Sequence, residues 1–250
     1  LGHPPLSSDS MGRDIGRFSG WNISLLQEIK KPGTFMIKTE TLSIKKLKKD
    51  GSIDSSIVKN IAQSLIRDKT ALIPVDGIYG IVSIHEDKTR TAIEHVNGSK
   101  DNEITRMISS FKMLDELASI SKMEFDFLHR IWPGEPVVIM KDSSVGSRII
   151  PVRMPRGKYK QDIVEQVGRP LHYAPLLDKE KKPVYRKKDI LDSLEGKIDM
   201  ILIIDEFCKE HGMPTVVDIS GETLAILNEG RVSAEEIKSL YFLGKDDSAI

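Results

Sequence analysis

Short apolar runs alternate with helix-period stripes along most of the chain. The densest run, residues 71–82, reads Ala-Leu-Ile-Pro-Val-Asp-Gly-Ile-Tyr-Gly-Ile-Val. It predicts a buried strand, a tight turn at Asp76-Gly77 and a second buried segment. Ahead of it, residues 35–43 predict an edge strand and Asp50-Gly51 a turn. Asp54, Ser55 and Ser56 supply cap chemistry. Ile57, Ile61, Leu65 and Ile66 then recur at helical spacing, which predicts a helix of about 13 residues. A helix laid beside a buried strand begins an α/β layering.

The alternation continues downstream. Residues 91–96 predict a short helix closed by Asn97-Gly98, residues 104–109 a strand, and 111–117 and 125–131 two helices. Trp132-Pro133-Gly134 stops the second of these and reads most simply as a helix stop and core plug. Strands are predicted at 136–140, 148–154, 170–173 and 200–204, and helices at 161–167, 189–194 and 234–240. Residues 178–188 form a polar insertion, and 214–219 with 223–227 predict a hairpin about Ser220-Gly221. Residues 1–35 lack this patterning and are expected to be a leader, a tag remnant or a loose extension. Residues 36–244 are expected to be one domain and 245–250 a tail.

Composition narrows the classes. The 250 residues carry 37 basic and 37 acidic side chains, so net charge points to no polyanion partner. Basic-rich segments at 45–49, 153–160 and 179–188 read first as solvated surface and second as phosphate-tracking patches. The single cysteine, Cys208, excludes an internal disulfide. No run approaches membrane-span length, so the expectation is a soluble, cytoplasmic protein with no membrane partner. Walker A, G-x-S-x-G and H-E-x-x-H patterns are absent. Cys208 and His211 lack the further ligands of a zinc site, so no metal ligands are assigned.

Several stretches, in order, resemble the YrdC family, which includes the L-threonylcarbamoyladenylate synthases of tRNA modification. Ile73 to Gly80 is similar to the family's P-T-D-T-x-Y-G, and Trp132-Pro133-Gly134 to its W-P-G. Val152-Arg153-Met154-Pro155 is similar to V-R-x-P. Pro214-Thr215-Val216-Val217-Asp218 resembles S-T-V-V-D, and Ile226-Leu227-Asn228-Glu229-Gly230 resembles I-L-R-x-G. The resemblance implies a twisted, open mixed sheet with helices around a large concave surface. It implies a site there for ATP, threonine and bicarbonate, with magnesium.

The departures fall on ligand-contacting positions. The family's K-x-R is here Asn97-Gly98-Ser99, its S-A-N falls near Pro175-Leu176-Leu177, and the arginine before x-G is Asn228. A hydrogen bond to a charged group is worth ~1.5–3 kcal/mol, so losing three cations weakens a triphosphate's grip by orders of magnitude. Lys100 and Arg106, just downstream, are the candidates for displaced charge. Asp76, Tyr79, Arg153 and Thr215 are retained, and His172-Tyr173 stand where a remodelled pocket would have its lip. Each has a plainer reading. Asp76 serves a turn, Tyr79 is a core aromatic with a bonded hydroxyl, and Thr215 is a strand-end residue. Arg153, in an apolar strand, needs a partner that is either a protein carboxylate or a ligand anion. No residue reads as a catalytic group.

The leading expectation is therefore a YrdC-like domain with an eroded ATP and threonine site, kept as a module for a nucleotide, another small molecule or RNA. The alternative is an active synthase with displaced site residues, using ATP and magnesium. A third reading is an RNA- or partner-binding protein that uses the basic segments.

Overall fold

The computed structural model describes residues 37–144 and 148–243. The expected boundaries near residues 35 and 244 lie outside them. The first half of the chain supplies β1 (Glu40–Ile44), α1 (Ser55–Ile66), β2 (Ala71–Val75), β3 (Ile78–Ser83), α2 (Glu86–Asn97), β4 (Thr105–Met107), α3 (Phe111–Leu117) and α4 (Lys122–Ile131). The second supplies β5 (Val137–Lys141), β6 (Ile149–Arg153), α5 (Lys158–Val167), β7 (Leu171–Pro175), α6 (Lys187–Leu194), β8 (Met200–Ile204), β9 (Val216–Asp218), β10 (Ala225–Asn228) and α7 (Ala234–Phe242).

Among the described residues the strands form one mixed sheet in the order β1-β8-β2-β3-β7-β4-β6-β5-β9-β10. The run from β2 to β3 is a two-residue antiparallel hairpin, Val75 facing Ile78. β1 lies at one edge, as its polar side chains predict, and β10 at the other.

β2 and β8 are buried along their whole length, because helices cover both faces of this part of the sheet. Alternation sorts their side chains. Ile73, Val75, Leu202 and Ile204 pack with Ile61 and Leu65 of α1 and Ile163 and Val164 of α5. Leu72, Ile201 and Ile203 face Ile93 of α2 and Ile190 and Leu194 of α6. A third cluster packs Phe127, Leu128, Ile237 and Tyr241 against Val138, Ile150 and Val152.

Four helices begin earlier than their apolar period predicts, α6 by two residues and three others by more. α2 starts at Glu86, five residues ahead of the expected 91, on a first turn with Glu86 and Asp87, which suit the positive end of the helix. α4 starts at Lys122 on a capping box: Glu124 N–H donates to Ser121 Oγ and Ser121 N–H to Glu124 Oε2. α5 starts at Lys158, after Gly157. Polar first turns carry no hydrophobic period, so the pattern is silent there.

Candidate functional site

The site grows from the turn between β2 and β3. Asp76 has φ 49° and Gly77 φ 87°, both left-handed, as the centre of a type I′ hairpin demands. Asp-Gly is among the pairs that adopt it readily. The Asp76 carboxylate is 4% exposed and meets two cations. Arg153, the last residue of β6, donates from Nη2 to Oδ2 at 2.5 Å, and Lys160 on α5 donates from Nζ to Oδ1 at 2.6 Å.

Neighbouring contacts fix this triad. Tyr159 donates its hydroxyl to the Pro74 carbonyl, pinning α5 to the end of β2. Gly157 leaves room for the folded-in lysine: a Cβ there would lie 3.1 Å from Lys160 Cε. The Arg153 guanidinium also stands 5.8 Å from the centre of the Tyr173 ring, an attractive placement for a cation. The partner that Arg153 needs is thus a protein carboxylate.

Two buried cations on one carboxylate leave a positive excess. Burial pushes the Lys160 amine below its ordinary range, outweighing the pull of Asp76, and Arg153 and Arg231 push the same way. Burial raises the Tyr173 phenol. Beside this triad Arg231 Nε stands 3.0 Å from Glu135 Oε2, a charge contact rather than an aligned hydrogen bond. The His211 ring covers the turn so closely that a Cβ on Gly77 would lie 2.4 Å from its Cγ. Burial first, then Arg231, lowers the His211 imidazole. Arg153 Nε, Arg231 Nη2 and His211 Nε2 are buried without a hydrogen-bond partner among the described residues.

An inner pocket of about 210 Å³ opens above Arg153, Thr105 and Tyr173, with Val137, Pro214 and Val216 among its apolar walls. Glu103, Pro175 and Met213 also line an outer pocket of about 500 Å³, which has Asn97, Gly98 and Ser99 on its wall. That outer wall carries Asp101, Glu103 and Asp178 against Lys179 and Lys181. Such a set favours no triphosphate. Among the described residues no group of three or more His, Cys, Asp or Glu side chains is placed to hold a metal ion.

The structure brings Asp76, Arg153 and Tyr173 together, while Thr215 lies between Pro214 and Val216, which line the inner pocket. Thr215 spends its hydroxyl on a loop, donating to the Val232 carbonyl and accepting from Gly230 N–H. Tyr79 is fully buried in the cluster under α2 and α6, its hydroxyl bonded to both backbone groups of Ile204. Lys100 lines neither pocket. Arg106 and His172 face each other across β4 and β7, as do their neighbours Thr105 and Tyr173. Successive strand residues point to opposite faces, so Thr105 and Tyr173 face the inner pocket while Arg106 and His172 turn to Glu86.

Lys160, Arg231, Glu135 and His211 are the residues that sequence reading missed. Lys160 lay in a basic run read as solvated surface. A helix begun at Lys158 puts Lys160 one turn before Val164, on the buried face.

A family model for Sua5/YciO/YrdC proteins, described as telomere recombination, matches residues 63–230. The chain belongs to the Sua5/YciO/YrdC family. Solved structures agree in fold. A double variant of P. abyssi Sua5 superposes with a TM-score of 0.69 at 21% identity, over 80% of this chain and 63% of that one. E. coli YciO gives 0.67 at 17% identity, over 81% and 99%. P. abyssi Sua5 complexed with L-threonine gives 0.66 at 22% identity, over 81% and 60%. The chain thus spans less than two thirds of the Sua5 chains and nearly all of YciO. No curated protein matches it. Among the described residues no helix is long and apolar enough to cross a membrane.

Proposed function

We propose that this YrdC-like domain is a small-molecule-binding module that has lost the nucleotide grip of a threonylcarbamoyladenylate synthase. The observation that carries the reading is the Asp76 clamp. Arg153, which lines the inner pocket, and the buried Lys160 are both held by one protein carboxylate. The outer wall offers Asn97-Gly98-Ser99 and sets three carboxylates against only two lysines where a triphosphate needs a surplus of cations.

The inner pocket suits a compact ligand. Its volume of about 210 Å³ lies below the ~300–1,000 Å³ of pockets for drug-sized molecules. Arg153 keeps a buried Nε–H without a partner, and a carboxylate is the acceptor a guanidinium donates to best. The P. abyssi relative solved with L-threonine supports a ligand of amino-acid size.

Isothermal titration of the full chain with L-threonine and with magnesium-ATP, each alone, tests the reading. Saturable binding of the amino acid without nucleotide, and no pyrophosphate release from the mixture with bicarbonate, is the expected result. Micromolar ATP binding, or pyrophosphate release that needs all three substrates, would overturn it in favour of an active synthase.

A further inference from the structure

A second charged centre lies away from the Asp76 clamp. Glu86, the first residue of α2, receives Arg90 Nη2 at 3.0 Å and Arg148 Nη2 at 2.9 Å. Arg106 Nη2 stands 3.8 Å from the same carboxylate, beyond hydrogen-bond reach. The three arginines come from α2, from β4 and from the residue before β6, and they line one cleft of about 280 Å³. Arg106 is fixed at its root, because β4 is paired with β6 on one side and β7 on the other.

The charges nearly balance here and the donors do not. Asp142 lies 4.0 Å from Arg148 Nε, with its Oδ1 already bonded to Ser144, and the exposed Glu103 sits at the rim. Each guanidinium carries five N–H groups. Arg90 fills two acceptors, Glu86 and the Asn102 carbonyl. The Arg106 side chain, only 16% exposed, makes no hydrogen bond among the described residues. His172 Nδ1, 4.0 Å from Glu86, is buried and also without a partner there. A strand-mounted, half-desolvated guanidinium with open donors, flanked by two more, is preorganised for an acceptor-rich ligand.

We propose that the cleft between Arg90, Arg106 and Arg148 binds a small oxyanion of the phosphate or sulfate class, with Arg106 as its main donor. The anion takes the N–H groups that Glu86 leaves open, and Glu86 competes with it. The proposal is independent of what fills the inner pocket.

Titration of the full chain at low ionic strength with sodium phosphate, sodium sulfate and AMP, against matched chloride, tests it. Phosphate or sulfate is expected to bind saturably and to raise the melting temperature. Arg106→Leu puts a side chain of similar reach but no charge in the strand and should weaken binding about tenfold or more, or ~1.4 kcal/mol. Arg106→Lys should recover only part, since it keeps the charge without the fork. Glu86→Gln should tighten binding by removing the competing carboxylate. Absence of saturable binding by either inorganic anion, binding unchanged in Arg106→Leu, or binding by AMP alone would each overturn the proposal. Circular dichroism of each variant separates lost binding from lost folding.

Discussion

Lys160 Nζ lies 2.6 Å from Asp76 Oδ1, and the two side chains are 5% and 4% exposed. The pair ties the first turn of α5 to the β2–β3 hairpin. Asp76→Asn leaves two buried cations without their carboxylate, a loss of ~3–5 kcal/mol. Lys160→Met removes the surplus charge and keeps the Arg153 bond, so it should cost clearly less. Urea denaturation of both variants checks the order; equal losses would contradict the clamp.

Tyr79 supplies the next expectation. Its hydroxyl donates to the Ile204 carbonyl and accepts from Ile204 N–H, both at 3.0 Å. Tyr79→Phe takes the hydroxyl from the Ile204 N–H and leaves the Ile204 carbonyl only the weak Cys208 Sγ contact at 3.8 Å, and an unsatisfied buried group costs ~1–3 kcal/mol. The denaturation midpoint should fall while ligand binding in the inner pocket stays unchanged.

His172 makes the acid limb of stability steeper. Burial first, then Arg106, pushes its imidazole from 6.5 down to about 4. The unfolded chain therefore takes up the proton first. The stabilisation is complete above pH 6.5 and is lost as pH falls through 4. Between about pH 7.5 and pH 5 this group should account for about 2 kcal/mol. Denaturation at both pH values should show a smaller drop for His172→Gln than for the parent chain.

Gly80 has no room for a side chain. A Cβ there would lie 2.1 Å from Tyr173 Cε2 and 2.6 Å from the Ala174 carbonyl oxygen. Gly80→Ala must shift β7, and overpacking of this kind costs ~1–3 kcal/mol or more. Thermal melting and the threonine titration should both register it, because Tyr173 walls the inner pocket.

Cations can be put back at the outer wall. Asn97 and Ser99 bond to each other, to Asn102 and to the Asp101 N–H, all within the same loop. The double change Asn97→Lys with Ser99→Arg should raise ATP affinity by about tenfold or more. An unchanged ATP titration would show that the wall does not limit nucleotide binding.

Much of the fold is legible in the residues. Apolar runs place β2, β3 and β8, the Asp-Gly pair places the hairpin, and Asp54 and Ser233 stand at helix starts as caps. The site is less legible, because its charges meet through tertiary contact. Asp76, Arg153 and Lys160 are 77 and 84 positions apart in their pairings, and no local period reports that. The same holds for Arg106. One position along β4 decides whether a side chain enters the inner pocket or turns to Glu86, and a strand three residues long gives too little alternation to fix its phase.

The place of β1 also bears on how the chain is made. Its strand partner is β8, Glu40 opposite Met200, about 160 residues later in synthesis. At ~5–20 residues per second on the ribosome, β1 waits roughly 8–30 s for that neighbour. Its Glu-Thr-Leu-Ser-Ile sequence is polar enough to stay in water meanwhile. The all-apolar Met-Ile-Leu-Ile-Ile of β8 emerges only after β2 stands ready beside its slot.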